Sequence, residues 1–178
     1  MEISTNLQFT AAQVLYDVEK FYDHARWDVI LATAEKVEYP LLVLALALQM
    51  HGAPRRVATA DAVSDLIWPR RSLMAGCSQG TDLARLALWS VLEYVHAAYR
   101  PRELNTWVDD LAHQERGRKQ DVVHKIVQVA EALVAGLQEL GFKVAAKSTI
   151  LAHPLAVGHD IVTAEGALSS YNGLEAAA

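Results

Sequence analysis

Apolar residues along this chain repeat with two different periods, and the change from one to the other predicts where helices and strands lie. From Lys119 to Leu140, Val122, Ile126, Val129, Leu133, Leu137 and Leu140 recur at spacings of three and four, which predicts a long amphipathic helix ended by Gly141. The same spacing of Trp27, Ile30, Leu31, Ala34 and Val37 predicts a helix over Ala25 to Glu38; Pro40 starts a second, which His51-Gly52-Ala53-Pro54 breaks. Thr81 to Ala98 is apolar nearly all round, which predicts a deeply buried central helix. Elsewhere the pattern is strand-like. Gln13 to Val18 is rich in β-branched and aromatic residues and reads as a strand ending near a carboxylate. Leu104 to His113 has strand-forming residues on both sides of Asp109-Asp110, a hairpin with two carboxylates at its tip. Phe142 to Val144 and Ser148 to Leu151 read as short strands, and Arg55 to Arg71 is the least periodic region, with short strands near Val57 and Ile67.

This order, a strand, helices, a hairpin, a helix and a strand, predicts an α+β fold: an antiparallel sheet with helices packed on one face. The ferredoxin-like split βαβ arrangement is one of few topologies that set the first strand beside a central hairpin, so it brings Asp17 next to Asp109. The expected organisation is one domain over residues 1–165, with the small-residue-rich stretch 166–178 as a flexible tail.

Composition narrows the classes. With 178 residues, 52% of them hydrophobic and 21% charged, the chain is long and apolar enough for a sizeable core, which excludes disorder. A net charge of −5 excludes a global basic field, so any nucleic-acid contact must be local, as in the short clusters Arg55-Arg56, Arg70-Arg71, Arg100/Arg102 and Arg116/Arg118/Lys119. The single cysteine, Cys77, and the absence of a signal-like start predict an intracellular protein, with nucleus and cytoplasm equally open. The longest apolar stretch, Leu41 to Met50, is about half of the roughly 20 residues a membrane span needs. No zinc-ligand spacing, P-loop or dinucleotide fingerprint occurs.

Asp17, Asp109 and Asp110 converging from two strands would form a hard, oxygen-rich site suited to Mg²⁺ or Mn²⁺, and phosphoryl transfer is the natural use of such a site. The same residues also fit a strand end and a solvated turn.

The order of short motifs resembles the palm of reverse transcriptases. Asp17-Val18-Glu19-Lys20-Phe21-Tyr22-Asp23 is similar to the first palm motif, Gly76-Cys77-Ser78-Gln79-Gly80 to the second, Trp107-Val108-Asp109-Asp110 to the third, and Leu140-Gly141-Phe142-Lys143 through Lys147-Ser148 to the fourth. The resemblance spans about Leu15 to Leu151. Ser78 stands where the family usually has Pro, and Thr81-Asp82-Leu83-Ala84-Arg85 replaces a Ser/Pro-rich run. With 16 residues ahead of Asp17, the resemblance implies that the fingers are largely absent and the thumb absent.

What the resemblance implies is an RNA-directed DNA polymerase: two Mg²⁺ ions (or Mn²⁺), an RNA template, a DNA primer and deoxynucleoside triphosphates, and no membrane. Asp17 and Asp109 would be the principal metal ligands, with Asp110 beside them and the Val18 carbonyl completing the shell. Tyr22 would be a steric gate occupying the space a ribose 2′-hydroxyl needs, though it also fits a core tyrosine. Gln79, with Gly80 after it, would position template base and nucleotide, or simply form a loop. Lys147 would protonate the departing pyrophosphate, or be a solvated lysine. Lys20 and Asp23 fit structural pairing better than chemistry. Two other readings share these residues: a non-catalytic palm-like remnant that binds nucleic acid or a protein, and the palm of an RNA-templated RNA polymerase, against which Val108 and Tyr22 count.

Overall fold

The computed structural model describes residues 10–145, 148–164 and 175–176. The sheet is assembled around strand β1 (Thr10–Asp17), which pairs antiparallel with β3 (Asp110–Gly117) on one side and β4 (Thr149–His153) on the other. Strand β2 (Glu103–Trp107) forms a hairpin with β3, and the two-residue β5 (Glu175–Ala176) runs parallel to β4, giving the order β2-β3-β1-β4-β5. The four antiparallel strands have the ferredoxin-like order, and the fold is α+β as the periodicity predicts.

The chain forms two compact units, one of Met1–Glu19 with Val91–Ala178 and one of Lys20–Ser90. In the first, helix α5 (Lys119–Glu139) packs on β1 and β3, helix α6 (Leu155–Ala164) packs on β4, and the two helices touch. The reason is alternation. Successive strand residues point to opposite faces, and β1 sends Ala12, Val14 and Tyr16 to the helix side together with Leu111 and His113 of β3 and Ile150 of β4, all buried. The stripe Val122, Ile126, Val129, Leu133 and Leu137 of α5 is buried along the same helix, each such side chain contributing about 1.5–3 kcal/mol over exposure. Gln13, Leu15 and Asp17 of β1, and Asp110, Ala112 and Gln114 of β3, are left on the opposite face, none of them fully buried.

Helix α5 ends as Gly141 suggests. Gly141 has φ +85°, its N–H donates to the Gln138 carbonyl at 2.8 Å, and the N–H of buried Phe142 donates to the Leu137 carbonyl at 2.9 Å, which is the Schellman pattern. Gly136 of the same helix lies so close to Val91 that an added Cβ would sit 2.8 Å from Val91 Cγ1.

The second unit holds α1 (Phe21–His24), α2 (Trp27–Lys36), α3 (Leu41–Gly52) and the start of α4 (Gly80–Tyr99), which ends in the first unit. Helices α2 and α3 touch, and Gly52 permits the close approach of the Trp27 ring. Buried His51 accepts the Met74 N–H at Nδ1 over 2.9 Å, and burial with Arg55 nearby lowers its pKa.

Three expectations need correction. The helix predicted over Ala25–Glu38 is shorter, Trp27–Lys36, and the separate turn α1 precedes it. The helix predicted over Thr81–Ala98 is not buried all round, since Trp89 is 43% and Tyr94 57% exposed. Phe142–Val144 forms no strand, only the single bridge Val18–Val144. Of the predicted tail, residues 166–174 and 177–178 lie outside the described residues.

Candidate functional site

The β2–β3 hairpin closes over two loop residues, Val108 and Asp109, between the paired Trp107 and Asp110. Val108 has φ +61° and Asp109 does not share the positive sign, which is the sign pattern of a II′ turn with a β-branched residue where glycine is favoured. Backbone strain at a loop that carries a candidate site is the kind of feature functional sites retain.

The β1–β3 register sets Asp17 directly opposite Asp110. Directly paired residues of antiparallel strands have Cα atoms about 4.5–5.5 Å apart. The pair therefore puts two carboxylates side by side on the open face of the sheet, with Asp109 next to them in the turn. Like charges placed directly opposite each other disfavour the fold. Asp110 is exposed and Asp17 and Asp109 are half-buried.

The chain after α5 holds the backbone at Asp17. The Asp17 N–H donates to Oγ of buried Ser148 at 3.1 Å, and the Ala145 N–H donates to the Asp17 carbonyl at 2.7 Å. Next along, the Glu19 N–H donates to the Lys143 carbonyl at 2.8 Å and Lys143 Nζ pairs with the Glu19 carboxylate at 3.1 Å. Val18 is buried and bridged to Val144. Beside the carboxylates, Leu15, Asn105, Trp107, Asp110 and Ala112 line an open cavity of about 510 Å³. Trp107 is 74% exposed on this rim.

Behind Asp17, on the helix side, Tyr16 Oη lies 2.9 Å from His113 Nδ1 and the two rings stack at 5.7 Å. Burial holds the His113 pKa down at about 4, with the Ile126 backbone opposing, so the ring is neutral at pH 7.

The second unit brings together residues of the first and second motifs. Tyr22 Cε1 lies 3.7 Å from where a Cβ on Gly80 would be, and the Tyr39 hydroxyl donates to Gln79 Oε1 at 3.4 Å. Lys20, with φ +47°, precedes α1, and the Asp23 N–H donates to its carbonyl, so both shape the turn after β1.

The structure thus brings Asp17, Asp109 and Asp110 to one end of the sheet, and Tyr22, Gln79 and Gly80 to one place in the other unit. Lys147 lies outside the described residues. The donor set at the sheet end is all hard oxygen, the kind that suits Mg²⁺ or Mn²⁺, but among the described residues no group of three or more His, Cys, Asp or Glu is placed to hold a metal ion. Ions of this kind are held by one or two carboxylates plus water and substrate phosphates, which this donor set fits.

Sequence reasoning did not assign a role to Ser148, Leu15, Asn105 or Trp107. The alternation of β2 and β3 carries the signal for Asn105 and Trp107, which share a face with Asp110. Ser148 left none, because its partner is 131 residues away. No helix among the described residues is long and apolar enough to cross a membrane. No protein-family model matches this chain, and no curated protein matches it in sequence.

Proposed function

We propose that the chain is the palm of a reverse-transcriptase-like polymerase, which adds deoxynucleotides to a primer 3′ end on an RNA template. The observation that carries the reading is the in-register opposition of Asp17 and Asp110 on the open face of the sheet, with Asp109 in the adjoining turn. Two carboxylates at the turn of the β2–β3 hairpin and a third at the end of β1, on the face opposite α5 and α6, would form a surface on which a polyphosphate and a primer terminus can meet.

In this reading Asp17, Asp109 and Asp110 hold the metal ions. Bound there, two divalent cations would make the primer hydroxyl a better nucleophile and neutralise the charge that develops on the pyrophosphate. The residues themselves position and orient. The Ser148 and Ala145 hydrogen bonds fix the backbone at Asp17, the strained Val108 aims the turn that carries Asp109, and Trp107 and Leu15 wall the cavity beside them. Within the second unit Tyr22 packs against Gly80; by the resemblance alone, Tyr22 would be the gate against the 2′-hydroxyl and Gln79 would position template base and nucleotide.

Primer extension tests the reading. Deoxynucleotide incorporation on an RNA template is expected, abolished by a chelator and by Asp17→Asn; incorporation that survives Asp17→Asn overturns it. A folded chain that binds nucleic acid and extends nothing supports the alternative of a non-catalytic palm-like domain.

A further inference from the structure

Between α3 and α4, within the second unit, the chain forms a small irregular β-ribbon that the polymerase reading does not use. The Arg55 N–H donates to the Ile67 carbonyl at 3.0 Å and the Ile67 N–H donates back at 2.8 Å; Ala58 bridges Val63 nearer the tip. Because neighbours along a strand alternate faces, Arg56, Leu66 and Trp68 share the face opposite Arg55 and Ile67. Trp68 is 65% and Leu66 44% exposed, and Arg56 is exposed. Arg70 and Arg71, also exposed, follow Trp68 through Pro69, so the Arg70 Cα lies within about 7 Å of the Trp68 Cα by chain reach alone.

The arginines are available. Arg55 is engaged, donating to the His51 carbonyl at 2.6 Å, but among the described residues Arg56, Arg70 and Arg71 make no ion pair or side-chain hydrogen bond. Of the ribbon's acidic residues, Asp61 belongs to the turn at the tip, between the hydrogen-bonded Thr59 and Ala62, and Asp65 makes no ion pair with these arginines. An indole left open to solvent and flanked by three unpaired guanidinium groups, in a chain whose net charge is −5, is a local basic and aromatic patch. That chemistry is matched by an unpaired polynucleotide strand, whose bases stack on aromatic rings while its phosphates meet the arginines.

We propose that this ribbon is a binding platform for single-stranded nucleic acid, with Trp68 as the stacking surface and Arg56, Arg70 and Arg71 as phosphate contacts. The proposal deepens the polymerase reading by naming where an unpaired template strand is held, but the binding itself needs neither metal nor catalytic carboxylates.

The test is fluorescence anisotropy of the full chain with labelled, unstructured RNA and DNA oligonucleotides of about 12 nucleotides, in chelator, across a salt series. Trp68→Ala is expected to weaken binding at least about fivefold, and Trp68→Phe to restore most of it. The Arg56→Ala/Arg70→Ala/Arg71→Ala variant is expected to reduce the slope of log K against log salt by about 2, at roughly 0.7 for each phosphate contact on a single strand. Because binding is read in chelator, where no metal-dependent extension runs, failure of the polymerase reading and failure of this one are separate results. Comparing RNA with DNA shows which strand the platform favours. Absence of binding by the wild type, or Trp68→Ala and the triple variant binding with unchanged affinity and slope, overturns the proposal. Loss of self-association in Trp68→Ala with oligonucleotide affinity unchanged overturns it too.

Discussion

Replacing Asp110 by asparagine is expected to stabilise the fold while removing the activity. The register sets Asp110 opposite Asp17, and two unit negative charges at about the 5 Å Cα spacing of directly paired residues would repel by about 0.8 kcal/mol in a water-like dielectric. Asparagine keeps the size and the strand pairing and removes the repulsion. At about 10 mM salt, where screening extends over about 30 Å, Asp110→Asn should be more stable than wild type by roughly 0.5–1 kcal/mol in chelator. Magnesium should then reverse the order. A ligand at ten times its dissociation constant adds about 1.4 kcal/mol to the protein that binds it, and the wild type should gain this while the variant gains little. Urea unfolding followed by circular dichroism, with and without Mg²⁺, measures both effects. A variant that is less stable than wild type by more than about 0.5 kcal/mol in chelator, or that responds to Mg²⁺ as the wild type does, would refute the reasoning.

Three further outcomes are expected elsewhere in the fold. Burial lowers the His113 pKa to about 4 from its usual 6.5, so the unfolded chain binds more protons between these values and the stability His113 contributes, complete above pH 6.5, is lost as pH falls toward 4. Measured by urea unfolding, the wild type should lose about 2 kcal/mol more than His113→Gln between pH 7 and 5; parallel pH profiles would contradict a buried neutral ring. Gly136→Ala places a Cβ 2.8 Å from Val91 and should destabilise by about 1 kcal/mol, overpacking exceeding the gain in helix propensity. Adding Val91→Ala should give a coupling of about 1 kcal/mol or more in a double-mutant cycle, and additive effects would contradict the contact. Val108→Gly relieves the positive φ and should raise the stability by roughly 0.5–1 kcal/mol, with a loss of stability as the contrary result.

The elements that reveal themselves in the sequence are those whose pattern is long and local. Helix α5 spans 21 residues with one apolar stripe and a Schellman glycine, so periodicity and punctuation agree on it. The β2–β3 hairpin is legible because strand-forming residues flank an acidic pair. Strand β1 is read from Gln13 onward but begins at Thr10, since Thr-Ala-Ala carries little strand signal of its own and is held by pairing with Arg116 and Gly117. Helix α1 has four residues, too few to show a period. Phe142–Val144 has strand composition, yet the chain there crosses the end of β1 and makes one bridge in place of a ladder.

Of the site, hairpin topology makes the meeting of Asp17 with the acidic pair legible, but not which member of the pair it faces. That depends on a one-residue choice of register, which local sequence leaves undetermined and which the buried face decides: Tyr16 opposite Leu111 and Val14 opposite His113 send both to the helices and leave Asp17 opposite Asp110. Tyr22 and Gly80 are 58 residues apart, so their contact follows only from the packing of α1 against the start of α4 within their unit. The exposure of Trp89 on α4 is likewise invisible to hydropathy, which counts apolar residues without showing which of them find a neighbour.

The most direct test of the account is primer extension on an RNA template by the full chain with Mg²⁺ or Mn²⁺, offering deoxy- or ribonucleotides and using Asp109→Asn as the blank. The account predicts deoxynucleotide incorporation by the wild type, at least about a hundredfold less by Asp109→Asn, and a ribonucleotide preference that rises about tenfold or more in Tyr22→Ala. Extension by Asp109→Asn at the wild-type rate would contradict it.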